Sequence, residues 1–477
     1  MAGDRVLPVM IIGISGATWT VIRPMLSEGA LPCIQGLMRE GAWGVLESVK
    51  TAGDKHYRPQ TAWPSVMSGK VPERHGITEY FHTYRDMKSA GAWDLFNQQG
   101  LSAGIYSTPV LWPPPRLNGF VIPTPHGRDD QAWPPELSFI MSYYRHHQDS
   151  KLRTSYLATI LKSVKFIPVV FGPGQNPRLP FRLLRSAVRL AMARDSETRA
   201  LILRSAKLDL STAIFLSLYR KYEPRFSIFT NFEVDYVSHR YWRYHEPEKF
   251  QDSSRVPSRI LKRAVKDAYA HMDRCIGILL KRIPAESVVA IVSEHGMAAE
   301  ERSNEIGRWQ YLINANKVKA LADIGDHIVA VPIARWIAFR RRDGCPLDSS
   351  VGQSLKSITV VESGLPLFTT HCHTEDEVVI KLNIHRGDYA DTDDIGTLHI
   401  SVPGRGVMPI GSLLERVGPR RSAMHAREGV VIMKGIGIMS GFEVKGAVIT
   451  DILPTLLAAA GLKVPSDLDG RVLDVFA

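Results

Sequence analysis

Short runs of consecutive apolar residues, each closed by a small or turn-forming residue, recur along this chain. Between them lie segments whose apolar residues fall three and four positions apart. Residues 6–12 (VLPVMII) read as a strand covered on both faces, followed by the turn Gly13-Ile14-Ser15-Gly16-Ala17-Thr18. Strands are also predicted at about 44–49, 101–106 (LSAGIY), 226–231 (FSIFTN) and 287–293 (SVVAIVS). Helical spacing marks 31–38, a segment opened by Pro59, the stretch 260–282, and an amphipathic closing helix over 449–462. The segments PVLWPPP and VIPTPHG read as proline-rich loop. This alternation predicts an α/β fold with a mostly parallel sheet, whose functional groups sit just past the carboxyl ends of its strands.

Two stretches break the alternation. From 140 to 207 an irregular connector carrying Pro168, Gly172, Pro173, Gly174, Pro177 and Pro180 leads into a basic amphipathic helix beginning at Phe181. Residues 303–415 turn strand-rich and read as a cap or lid over the carboxyl face of the sheet. The expected organisation is therefore a core built from 1–139, 208–302 and 416–477, with a basic helical insertion at 140–207 and a cap insertion at 303–415. Within the cap, His371-Cys372-His373 reads as loop rather than as a metal site, for want of a third ligand.

At 477 residues and 44% hydrophobic content the chain can bury a large core. No apolar run reaches the roughly 18 residues of a membrane span, and the start reads as a strand rather than a signal peptide. Four scattered cysteines without a CxxC pair predict free thiols and a reducing, cytoplasmic setting. The net charge of +11 is concentrated: residues 151–207 hold twelve Lys or Arg against two acids, Asp195 and Glu197. Arg178, Arg182, Arg185 and Arg189 lie at helical spacing, with Leu184, Val188 and Met192 on another face. Such a helix reads as the solvated face of an insertion, or as contact with an anionic surface, a membrane or an acidic carrier. No aromatic platform or RNA-binding motif accompanies it, so no nucleic-acid partner is expected.

The candidate chemistry lies at strand ends. Asn231 to Trp242 (NFEVDYVSHRYW) follows an apolar strand and carries Asp235 and His239 four residues apart, on one face if Asp235 opens a helix. The strand at 287–293 ends in Glu294-His295-Gly296, a second carboxylate and imidazole pair, and His425 stands just before the last core strand. Carboxylate and neutral imidazole together are the donors of zinc and iron sites.

With these residues the chain resembles the type I phosphodiesterase and nucleotide pyrophosphatase family, in the alkaline phosphatase superfamily. The resemblance rests on GISGAT after the first strand, REGAWG, TAWPSVMSGKVPERHGI, DYVSHRYW, VVAIVSEHGM, HAREGVVIMKGIGI and ITDILPTLLAAAGLKVPSDLDGRVL, over roughly residues 7–135, 190–300 and 420–473. It implies an alkaline-phosphatase-like sheet sandwiched by helices and two divalent metals, usually zinc. One metal would be held by Asp235, His239 and His425. The other would use a first-turn aspartate, an Asp-His pair and a Thr or Ser nucleophile at a helix start. Those positions are here Ser15, Glu294 with His295, and Pro59. A serine hydroxyl is a poor neutral ligand, and proline cannot attack phosphorus. Thr61 and Ser65 are the nearest hydroxyls, Thr61 being the candidate substitute nucleophile.

The resemblance therefore implies a metal-dependent hydrolase of a phosphate ester or related small anionic substrate, with an altered, non-covalent or mononuclear mechanism. Zinc is the expected ion, one firmly held and the second site weakened, with iron and manganese as alternatives. Water would be activated directly, with Glu294 as base or extra ligand and His295 assisting. The competing readings are a degenerate binding protein and a mononuclear biosynthetic enzyme.

Overall fold

The first apolar run forms strand β1 (Val9–Ile14), buried along its whole length. Its side chains alternate between two cores: Met10, Ile12 and Ile14 face one, Val9 and Ile11 the other. A strand covered on both sides needs helices on both sides, and the chain supplies them. A computed structural model describes residues 6–54, 56–148, 165–172, 175–250, 258–300, 309–333, 336–384, 395–419 and 421–477. The strands that follow β1 in its unit are β2 (Ala42–Glu47), β3 (Ala103–Tyr106), β4 (Gly119–Ile122), β5 (Phe226–Asn231), β6 (Val288–Ser293), β7 (Gly296–Ala299), β8 (Ala423–Ala426), β9 (Glu428–Lys434) and β10 (Phe442–Val448). Eight of them make one sheet in the order β10-β2-β9-β6-β1-β5-β3-β4, parallel throughout except for β9. Strands β7 and β8 pair separately.

The flanking helices are α1 (Trp19–Ser27), α2 (Pro32–Glu40), α3 (Pro59–Ser68), α4 (Leu179–Met192), α5 (Ser196–Tyr222), α6 (Glu233–His245), α7 (Arg259–Leu280) and α8 (Ile452–Ala459). Helices α1, α2, α5, α6 and α7 pack on the core of Met10 and Ile12, while α3 and α8 pack on that of Val9 and Ile11.

Several sequence expectations change. The stretch read as proline-rich loop contains β4, a four-residue edge strand too short to show a pattern. The boundary placed at 207 falls inside α5, whose residues 208–219 are largely buried in the main core. The closing helix is a 3₁₀ turn, Ile449–Asp451, followed by α8, which is buried nearly all round rather than amphipathic. Part of the basic segment, 151–164 and 173–174, lies outside the described residues.

Compact units span 1–301 with 422–477, and 302–421. The second unit has its own core around Val318, Leu355, Phe339, Ile380 and Ile400. Its His371-Cys372-His373 lies in a strand, Phe368–Thr374, and not in a loop, with His373 Nδ1 2.9 Å from Glu377 Oε1. Among the described residues Cys33, Cys275 and Cys345 are free thiols.

Helix α5 is tied to α7 and α4 through one buried carboxylate. Asp209 lies 2.9 Å from His271 Nε2 and 3.3 Å from an Arg182 guanidinium nitrogen. Asp209, His271 and Cys275 are close enough to hold a metal by distance alone, but Arg182 already neutralises the carboxylate, which makes the group an ion-pair network. Burial pushes the His271 imidazole down, yet hydrogen bonds to Asp209 and Cys275 outweigh it and raise it from 6.5 to about 9. A raised histidine contributes stability that is complete below pH 6.5 and lost as pH rises through about 9. Wild-type protein is thus expected to lose about 3 kcal/mol across that window, and His271→Gln to lose the dependence. Urea unfolding at several pH values measures it, and equal pH profiles for the two proteins would refute the network.

Candidate metal centre

Strand register brings the marked residues together. β1, β5 and β6 run parallel, with Gly13 level with both Thr230 and Val292. Their following turns therefore deliver Ser15, the first turn of α6 and the Glu294-His295 pair to one edge of the sheet. β9 runs the other way, with Val430 opposite Ser293, so His425, which precedes it, arrives at the same edge. β8 fixes it there, His425 lying opposite Met297 of β7.

The turn after β1 is shaped to receive α6. Gly16 has φ +77°, and a Cβ at that position would sit 2.9 Å from the Asp235 Cα. The buried hydroxyl of Tyr269 holds the turn from the other side, accepting from the Thr18 amide at 3.0 Å and donating to the Gly16 carbonyl at 3.4 Å.

On α6, Asp235 Oδ1 and His239 Nε2 are 3.5 Å apart. The Nδ1 of His239 donates to the Ala423 carbonyl at 2.6 Å, and the Nδ1 of His425 donates to the Tyr57 carbonyl at 2.6 Å. Carbonyls only accept, so both Nδ1 atoms carry the proton and both neutral rings turn an Nε2 lone pair inward. Those two lone pairs meet at 2.8 Å, and Asp235 Oδ1 stands 3.0 Å from His425 Nε2. Three acceptors converging on one point repel one another unless a proton or a cation lies among them. Their spacing is close to the roughly 3.3 Å between donors on a tetrahedral zinc ion. Burial pushes the Asp235 carboxyl up, but positive charge on the His239 and His425 side of it would outweigh that and hold it well below the carboxylate range, as a cation among the three would.

A second group adjoins the first. Ser15 Oγ donates to Glu294 Oε1 at 2.6 Å, while Glu294 Oε2 is buried with no hydrogen-bond partner among the described residues. His295 Nδ1 donates to the Gly296 carbonyl at 3.1 Å, leaving a buried Nε2 that also has no hydrogen-bond partner among the described residues, 3.3 Å from Glu294 Oε1. The His295 ring stacks on His425 with centroids 3.8 Å apart, and Asp235, His295 and His425 offer ligand atoms within 4.8 Å of one another. Burial pushes the Glu294 carboxyl up to about 7 and the His295 imidazole well below its usual value. Orphaned polar atoms in a buried, acceptor-rich pocket are what a second cation would satisfy.

The model of the type I phosphodiesterase / nucleotide pyrophosphatase family matches residues 9–411. The chain belongs to this family. Members typically depend on a divalent metal, and the groups described above supply donors of the right kind. Similar solved structures include human ectonucleotide pyrophosphatase / phosphodiesterase 5, at 13% identity over 98% of this chain and 100% of that one, with a TM-score of 0.42. The murine protein is 12% identical over 98% and 100%, with a TM-score of 0.41. An inactive variant of the murine protein in complex with AMP gives 12% identity over 96% of each chain and a TM-score of 0.41. These likenesses are too distant to place any residue. No curated protein matches the chain.

Pro59 occupies the first position of α3, where its missing N–H costs nothing. Thr61 lies two residues further into the same helix. It is 2% exposed and its Oγ1 donates to the Arg58 carbonyl at 3.2 Å, its single hydrogen bond among the described residues. Ser65 lies a turn further on, with its Oγ 3.0 Å from His75 Nε2. Both hydroxyls are buried and hydrogen-bonded within the packing of this helix.

Sequence reading missed the Tyr57 and Ala423 carbonyls and the Tyr269 hydroxyl. Every residue has a carbonyl, so only the fold could single out those two. Gly16 did carry a signal, as the small residue in the turn after a buried strand.

Proposed function

We propose that this chain is a divalent-metal-dependent hydrolase of a phosphate ester or related small anionic substrate, in which water rather than a protein hydroxyl attacks phosphorus. The observation that carries this reading is the convergence of His239 Nε2, His425 Nε2 and Asp235 Oδ1 with both outer ring nitrogens committed to carbonyls. Those three residues would hold one ion, with zinc the proposed metal and iron or manganese suited to the same donors. Glu294 and His295 would serve an adjoining ion or the substrate. When bound, the cation supplies Lewis-acid charge at the phosphoryl oxygens.

The chain's own contribution follows from its protonation pattern. Glu294 Oε2 has no hydrogen-bond partner among the described residues, and with its carboxyl near 7 the group is poised to take a proton from water at neutral pH. Ser15 fixes the other oxygen and thereby the carboxylate's orientation. Neutral His295 offers Nε2 as a further acceptor, and its stacking on His425 couples the two groups. With Pro59 where a hydroxyl would be needed, no covalent phosphoryl-enzyme forms.

The test is hydrolysis of a simple phosphodiester by the full chain supplied with zinc, manganese or ferrous iron, with acid quenching during turnover. Hydrolysis without any trapped phosphoryl-protein is the expected result. A phosphoprotein labelled at Thr61 would overturn the mechanism, and metal-loaded protein that hydrolyses nothing would leave binding, or chemistry of another class, as the function.

A further inference from the structure

We propose that helix α4 docks this protein onto anionic lipid bilayers, its apolar stripe entering the headgroup region and its arginines meeting lipid phosphates. An amphipathic helix normally turns its apolar side to the core, and here the reverse holds. Phe181, Leu184, Val188 and Met192 are 73%, 63%, 51% and 75% exposed and line one face over the length of the helix. The opposite side anchors it: Leu179 is buried and Arg182 pairs with Asp209. Just before the helix, Gln175 Nε2 donates to the Ala213 carbonyl at 3.0 Å and to Ser217 Oγ at 2.7 Å. Of the four arginines at helical spacing, Arg182 has therefore turned inward. Arg178, Arg185 and Arg189 remain exposed and run along one edge of the stripe.

Charge selects the occupant. Both acids among residues 151–207 are used internally: Asp195 caps α5 by accepting from the Thr198 amide at 2.8 Å, and Glu197 binds Arg240 and Tyr241. A cationic edge beside a continuous apolar stripe fits a surface that is anionic outside and apolar beneath. A second copy of the chain would bring the same arginines face to face, a like-charge contact. A specific protein partner would ordinarily find hydrogen-bonding groups within the contact, and the stripe offers only carbon and a thioether. At 14 residues the helix is about 21 Å long, so it lies on the roughly 30 Å hydrocarbon layer and does not cross it. No helix among the described residues is long and apolar enough to span a membrane.

The test is co-sedimentation of the full chain with vesicles of phosphatidylcholine alone and of phosphatidylcholine mixed with phosphatidylglycerol. Wild type should bind the mixed vesicles and be released as salt rises. The double substitution Phe181→Asp with Val188→Asp should lower binding at least about tenfold, and Arg185→Glu with Arg189→Glu should remove the preference for the anionic lipid. All four positions are exposed, so metal content serves as the control for intact folding. Binding of wild type and the double aspartate variant to the same extent would overturn the proposal. So would wild type that ignores anionic vesicles, or a dimer in analytical ultracentrifugation that the aspartates disperse.

Discussion

His425→Ala should leave a soluble, folded protein that no longer keeps its metal. The residue supplies one of three donors around a single point, and His239 with Asp235 alone make a two-ligand site on one helix. Its loss also frees the Tyr57 carbonyl, a cost of about 1–2 kcal/mol that a chain with cores on both faces of its sheet can bear. Metal per chain, measured by elemental analysis after dialysis, is expected to fall to near zero, and phosphodiester hydrolysis to fall at least about a hundredfold. His239→Ala should behave the same way. A His425→Ala protein that retains its full complement of metal would sink the three-ligand centre.

Gly16→Ala should be nearly as damaging, from a position that offers no ligand. The added methyl meets two penalties at once. At φ +77° a residue with a Cβ is strained by about 1–2 kcal/mol, and the Cβ would sit 2.9 Å from the Asp235 Cα, a backbone atom that cannot swing away. Relief requires α6 to shift, which carries Asp235 and His239 away from His425. We expect a loss of about 2–4 kcal/mol in chemical denaturation, together with weaker metal retention. By contrast Gly29, also at positive φ, has open space around its absent Cβ. Gly29→Ala should show strain alone, with metal content unchanged. If Gly16→Ala unfolds at the wild-type denaturant concentration and keeps its metal, the close docking of α6 on the turn is wrong.

Much of this centre could be read one residue type at a time. Asp235 and His239 are four apart after an apolar strand, and on α6 that spacing does put them side by side. Glu294 and His295 end a strand of six consecutive buried residues, a pattern that left little choice about where they would point. Thr61 shows the limit of such reading. It lay near the expected nucleophile in sequence, but two residues along a helix turn a side chain by about 200°, and its hydroxyl ended on the Arg58 carbonyl.

Helix α4 shows the limit again. Its spacing of arginine and apolar residues declared an amphipathic helix, and the composition of 151–207 declared a basic one. Neither could say which side the rest of the protein would cover.

Read alone, the amino-acid order therefore gives the α/β alternation, the strand-end carboxylate and imidazole pairs and the concentration of positive charge. These follow from periodicity and residue type, which act between near neighbours in the chain. Tertiary structure alone decided that β9 runs antiparallel and so brings His425 to the edge where Asp235 waits. It also decided that the Tyr57 and Ala423 carbonyls set both imidazole tautomers, that Ser15 serves Glu294, and that the apolar face of α4 stays outside. Each joins groups far apart in the chain, Ser15 and Glu294 through their side chains and the others through backbone atoms or packing surfaces, and periodicity between near neighbours leaves no mark of such pairings.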